Sequence, residues 1–84
     1  DERPRAADIR KALVAMRDGL FAGLSRAQVE ADAARRLTEV GYAVDYTVVR
    51  RPDLSEPVDG ETGARVALIA ARLGRTRLID NLEF

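Results

Sequence analysis

The stretch ARVALIAARLGRTRLIDNLEF, residues 64–84, decides how the chain is read. It holds two apolar runs, Val66–Leu73 and Leu78–Leu82, parted by Gly74, and its aliphatic content is the densest in the chain. Two strands joined by a tight turn satisfy that pattern. With Gly74 in the first central position and Arg75 in the second, Leu73 faces Thr76, Ala71 faces Leu78 and Ile69 faces Asp80. The same register sets Arg72 against Arg77, a like-charge pair that costs stability. Either an acid intervenes, with Asp45 and Asp80 as candidates, or the turn is longer than two residues.

A third strand precedes the hairpin. Tyr42–Arg50 (YAVDYTVVR) is β-branched and aromatic, and alternation puts Val44, Tyr46 and Val48 on one face and Ala43, Asp45, Thr47 and Val49 on the other, one of the two facing the core. A Tyr46 on an inward face is expected to be core, with its hydroxyl satisfied at the edge. Between this strand and the hairpin, residues 51–63 (RPDLSEPVDGETG) read as a loop, with one helical turn possible at Pro52–Ser55 and with Leu54 and Val58 pinning it down.

The first half has a helical period. Ile9, Leu13, Met16 and Leu20 form an apolar stripe, with Ala12 and Ala15 beside it, in a helix that begins in DERPRAAD or at Asp8 and ends near Ala22. Acids at the start and Pro4 in a first turn suit that beginning. Gly19 marks close packing or fraying, and Gly23 is a C-terminal stop. Ser25 and Gln28 form a capping box opening a second helix whose buried face is Val29, Ala33, Leu37 and Val40, with Glu30, Asp32, Arg35, Arg36 and Glu39 around the other side and Gly41 ending it. The short link makes the helices neighbours, expected as an antiparallel pair. The fold class is therefore α+β: two helices packed on a three-stranded antiparallel sheet, a two-layer sandwich in the order α-α-β-β-β.

Eighty-four residues make one domain, 1–84, with one modest core. There is no Cys and no His, which removes disulfides, thiol nucleophiles, the commonest general base and most zinc sites. Proton chemistry is left to Asp, Glu, Tyr42, Tyr46 and the single lysine, Lys11. Fourteen basic and fourteen acidic residues cancel, so the footprint of a nucleic-acid or membrane-surface binder is missing. All the basic residues but Lys11 are Arg, read as codon usage in preference to phosphate recognition. No apolar run approaches the ~18 residues of a membrane span and no signal peptide is visible, so the expectation is a cytoplasmic chain. It begins with Asp1 and not Met, which suggests a piece of something longer.

Few constellations could carry chemistry. Arg72, Arg75 and Arg77 would make a phosphate corner if they converged, and otherwise decorate a solvated turn. Asp80 and Asn81 interrupt an apolar strand, either as a metal or substrate contact or as a carboxylate accepting backbone amides or pairing with Arg; the structural reading is preferred. Arg50 and Arg51, before Pro52, read as a solvated strand end. No phosphate loop, dinucleotide fingerprint or nucleophile motif is present. The residues alone describe an α+β domain that is not catalytic by itself.

Taken together, residues 44–59 (VDYTVVRRPDLSEPVD) and 67–84 (ALIAARLGRTRLIDNLEF) resemble the C-terminal portion of the pantothenate synthetase (pantoate–beta-alanine ligase) family. Val44, Asp45, Tyr46 and Arg50 match one of its patterns, and Ala70–Arg72, Gly74 and Thr76–Asn81 match its closing one. The helical half matches in outline only. The resemblance implies an ATP-dependent, AMP-forming ligase that, with magnesium, activates pantoate as pantoyl adenylate and joins it to beta-alanine. This chain would be the lid over an N-terminal nucleotide-binding domain, inactive alone, in an enzyme expected to be a homodimer. The family's His-containing motif, its Lys and Gln ligands and its Ser-Ser-Arg triplet have no counterpart here. No catalytic, cofactor-binding or metal residue is therefore carried over, and no cofactor is expected on this chain alone. Asp45, Gly74, Arg77 and Asp80 are read as holding the domain together. The alternative is a free-standing interaction or dimerisation module binding an anionic partner.

Overall fold

In a computed structural model the chain is described from Arg3 to Phe84, with side chains from Ala7 onward. Asp1 and Glu2, the acids expected at the helix start, lie outside the described residues. Two helices, α1 (Arg3–Phe21) and α2 (Arg26–Glu39), precede three strands, β1 (Ala43–Arg50), β2 (Val66–Leu73) and β3 (Thr76–Glu83). The sheet runs β1-β2-β3, antiparallel throughout. Both helices lie on one face, α1 against β2 and β3 and α2 against β1.

The apolar stripe of α1 is buried as its spacing requires: Ile9, Ala12, Leu13 and Met16 are all 2% exposed or less. The helix closes with a Schellman motif, in which the Gly23 amide bonds the Leu20 carbonyl at 3.1 Å and the Leu24 amide that of Gly19 at 2.9 Å. Gly19 marks close packing and not fraying, because a Cβ there would stand 2.7 Å from Cγ1 of the buried Val29.

Ser25 caps α2, its hydroxyl accepting the Gln28 amide at 3.1 Å. The reciprocal half of the capping box is replaced: the Gln28 side chain bonds forward to Asp32 at 2.9 Å. A loop residue far away in sequence, Asp59, also accepts the Arg26 amide at 2.7 Å, so two of the four orphan donors at this helix start are met from different directions. At the other end Gly41, at φ +102°, reverses the chain in a second Schellman motif, with the Tyr42 amide on the Leu37 carbonyl at 3.0 Å and the Gly41 amide on that of Thr38 at 3.1 Å. Leu37 and Tyr42 are then both buried in the core, the apolar contact that accompanies this motif. Val40, expected on the buried face, is the C-cap and is 43% exposed, because the helix has already begun to unwind there.

The hairpin has the two-residue turn. Leu73 pairs with Thr76, Ala71 with Leu78 and Ile69 with Asp80, and Gly74 sits at φ +61°, the sign a glycine-first hairpin turn demands. Arg72 does stand opposite Arg77.

The alternation assigned to β1 is half wrong. Its pairing with β2 slips between Val44 and Tyr46, so Asp45 is bulged out and the faces exchange there. Val44 points toward the helices before the bulge, whereas Thr47 and Val49 do so after it; Tyr46 turns outward and is 37% exposed. The expectation of a core Tyr46 is thereby overturned, and the buried tyrosine is Tyr42.

The loop is held differently from the expectation too. Leu54 and Val58 are 62% and 66% exposed, and it is Pro57 that is buried. Its fixings are polar: Arg51 clasps Glu61 through Nη2 at 2.7 Å and Nε at 2.9 Å, and Asp59 reaches α2. Where a helical turn seemed possible there is a β-turn, closed by the Leu54 amide on the Arg51 carbonyl at 2.8 Å, with Leu54 at φ +70°.

Candidate functional site

Three clusters gather several of the charged side chains. The first lies at the hairpin end of the sheet. The bulge projects Asp45 between the two facing arginines, where Oδ2 stands 2.9 Å from Arg77 Nε and 3.7 Å from Arg72 Nε. Of the two candidates for an intervening acid, Asp45 is the one that intervenes. Arg75 occupies the exposed second turn position, so of the three arginines two converge, and they converge on a carboxylate of this chain. Replacing Asp45 by Ala should destabilise the hairpin by about 0.5–1 kcal/mol, since it uncovers a like-charge pair at a largely exposed site. A shift in urea midpoint that grows as salt is lowered is the measurement; a midpoint unchanged at low salt would contradict the role given to Asp45.

The second cluster stitches α2 to β1. Oε2 of Glu30 accepts the Val49 amide at 2.9 Å and lies 3.3 Å from Arg26 Nη1 and 3.8 Å from Arg50 Nη1. Beside it, the hydroxyl of the buried Thr47 donates to the Glu30 carbonyl at 2.7 Å. The sequence reading put Glu30 on the solvated side and made Arg50 a free strand end. Instead both belong to this seam, which also covers backbone groups at the β1 edge of the sheet.

The third cluster orders the loop. The Arg51 hydrogen bonds hold the Glu61 carboxyl below the usual glutamate range, and the Ser55 hydroxyl and amide do the same for Asp53. Both carboxyls are depressed in the folded chain, so their contribution is complete above the ordinary carboxylate value of about 4 and disappears as pH falls through the lower folded-state value. In Glu61→Gln, the loss of stability on acidification should be shallower than in the parent. Thermal melts at a series of pH values test this; parallel curves would contradict it.

The remaining singled-out residues take structural places. Asp80, half-buried on the helix-facing side, accepts the Asn81 amide at 2.8 Å, as the backbone-accepting reading expected. Arg10 donates to the Asn81 carbonyl at 3.2 Å, tying α1 to the β3 edge. At the opposite end of the sheet from the hairpin, Arg65 lies 5.1 Å from the Phe84 ring centroid and 5.9 Å from that of Phe21, and the two rings meet edge to face at 5.7 Å. That cluster joins three separate segments and has no local sequence signature.

Among the described residues no group of three or more His, Cys, Asp or Glu is placed to hold a metal ion. None of the described helices is long and apolar enough to cross a membrane. Every buried side-chain nitrogen and oxygen among them has a partner. Apart from Arg65, which lies against the two rings, and Arg75 at the exposed turn, the carboxylates and guanidiniums described above bond one another, the Ser55 side chain or backbone, which suits them to holding the fold.

A family model described as pantoate-beta-alanine ligase matches residues 1–83. The pantothenate synthetase of Xanthomonas euvesicatoria pv. vesicatoria is 66% identical over 84 residues, which is 100% of this chain and 30% of that protein. A pantothenate synthetase of Xanthomonas oryzae pv. oryzae is 64% identical over the same span. Among solved structures, the crystal structure of the Thermus thermophilus enzyme superposes with a TM-score of 0.79 at 30% identity, covering 95% of this chain and 29% of its own. The chain thus spans about a third of the length of the relatives it matches.

Proposed function

The chain belongs to the pantoate-beta-alanine ligase family, and from that premise we propose that it is the C-terminal lid domain of an ATP-dependent, AMP-forming ligase that makes pantothenate from pantoate and beta-alanine. In the whole reaction a carboxylate oxygen of pantoate attacks the α-phosphorus of ATP and pyrophosphate leaves. The amine of beta-alanine then attacks the acyl carbon, AMP leaves, and the nitrogen gives up a proton. The domain's part is to close over the site, keep water from the acyl adenylate and strengthen the electrostatics inside. The surrounding enzyme is read as a cytoplasmic homodimer whose N-terminal domain binds the nucleotide.

The observation that carries this reading is the match itself: identity runs the full length of this chain yet occupies only 30% of the relative. The chain has neither His nor Cys, and this reading assigns no chemical step to its side chains.

The test has two arms. Incubated with ATP, magnesium, pantoate and beta-alanine, the isolated chain should release no AMP. Grafted into the Xanthomonas euvesicatoria enzyme in place of the matching segment, it should support pantothenate formation. AMP release by the isolated chain at the rate of a whole enzyme, or a folded graft that makes no pantothenate, would overturn the reading.

A further inference from the structure

A cleft of about 540 Å³ lies at the end of the molecule opposite the hairpin, where the last turn of α1 and the start of α2 face the loop that precedes β2. Its walls are largely apolar, with Phe21, Leu24, Pro57, Val58 and Phe84 among the lining side chains. Phe21 is 64% exposed, and Leu24 and Val58 are exposed with it. Single hydrophobic side chains on a surface need no explanation, but three that converge on one concavity do. Both the volume and the apolar lining with few polar groups are those of a small-molecule site.

The charged groups around the cleft are engaged, with one exception. The Glu61 carboxylate is held by Arg51 and also accepts the Val58 amide at 3.2 Å. Asp59 caps α2, and the Arg26 guanidinium lies beside Glu30 and, at 3.7 Å, Glu56. Arg65 differs. Its Nε donates to the Gly63 carbonyl at 3.3 Å, but among the described residues its two terminal nitrogens meet neither a carboxylate nor any other acceptor. It acts on Glu61 through space, yet that carboxylate is already bonded by Arg51. The guanidinium is nonetheless held in position. The rings of Phe21 and Phe84 flank it, and its backbone exchanges two hydrogen bonds with Phe84, at 2.8 and 2.9 Å. A cation fixed in an apolar cleft with its donors unused calls for an anion.

We propose that this cleft binds a small monocarboxylate with an apolar body. The terminal nitrogens of Arg65 take the carboxylate, because the guanidinium fork matches its two oxygens. Phe21, Leu24 and Val58 cover the body. A single negative charge suits the site, since Asp59 and Glu61 also line it and repel a second one. The walls are set beforehand, as the Arg51–Glu61 clasp and the Asp59 cap fix the loop, so little ordering opposes binding. The proposal goes beyond the ligase reading and does not depend on it.

Protection of a thiol tests this at the site itself. Val58→Cys places a thiol at the exposed wall of the cleft, and Arg75→Cys places a control at the hairpin turn. Each is alkylated with iodoacetamide in the graft within the Xanthomonas euvesicatoria enzyme and read by peptide mass. The probes are 4-phenylbutyrate and its neutral amide. The acid should slow alkylation at residue 58 by at least about threefold at the top of a titration, where most clefts are filled. The amide should protect far less, and the residue-75 thiol should keep its rate with both. Adding Arg65→Gln to Val58→Cys should remove the protection, and Arg65→Lys should keep part of it. Thr62→Glu, at an exposed lining position, should weaken it while leaving Arg65 in place, which separates binding from any folding defect of the Arg65 variants. No protection by the acid, equal protection by acid and amide, or protection that survives both Arg65→Gln and Thr62→Glu would overturn the proposal. Pantothenate formation by the graft bears on the ligase reading alone.

Discussion

Leu37→Ala should lower the unfolding free energy by about 2–5 kcal/mol, the range for truncating a fully buried leucine and leaving a cavity. Leu37 is 0% exposed, belongs to the core cluster shared by both helices and the sheet, and packs at the point where α2 turns back through Gly41 into β1. A chain of this size is expected to hold roughly 4–13 kcal/mol in total, so the loss is a large part of it. The melting temperature should fall by roughly 10–30 °C. Leu24→Ala, at a position 46% exposed, should cost far less and serves as the comparison. Equal urea midpoints for the two variants would contradict the placement of the core.

Glu30→Ala is the second large effect expected, about 1–3 kcal/mol, because it leaves the amide of the fully buried Val49 without its acceptor and removes the carboxylate shared by Arg26 and Arg50. Glu30→Gln keeps an acceptor oxygen and should recover part of the loss. The Thr47 hydroxyl bonds the main-chain carbonyl of residue 30 and stays in place in both. Amide exchange separates this account from a general weakening: Val49 should lose protection more than Ile69, whose strand β2 lies between two others. Unchanged protection at Val49 would contradict the seam.

These two sites also mark what the sequence disclosed and what it did not. Leu37 follows from the helical period of α2, and the hairpin register follows from Gly74 and the apolar runs on either side of it, because both are local patterns. Glu30 was assigned to the solvated side on its charge. Yet it lies seven residues before Leu37, nearly the same angular position at 3.6 residues per turn, so its place beside the core was available from geometry. The bulge at Asp45 was not available. The apolar pair Val48–Val49 fits either phase of β1, and only the pairing with β2 shows where the phase changes. The sequence did supply the requirement that bulge meets, an acid between Arg72 and Arg77, without showing which acid or how it gets there. The Asp59 cap on Arg26 and the Arg65–Phe21–Phe84 cluster join residues distant in sequence and leave no spacing to read. Ile79 was legible as part of an apolar strand, but the exposure of Tyr46 and the positive φ of Leu54 were not.

The central claim is the proposed one that pantothenate formation by the surrounding enzyme depends on this domain as its lid, and excision tests it most directly. Pantothenate formation is measured for the Xanthomonas euvesicatoria enzyme carrying this chain as its matching segment and for the same enzyme ending before it, with folding of the shortened form checked by its thermal melt. The account predicts that the shortened enzyme stays folded and loses pantothenate formation by roughly a hundredfold or more, as expected when the site is left open and its substrates poorly positioned. A folded, shortened enzyme that makes pantothenate at the rate of the intact graft would contradict it.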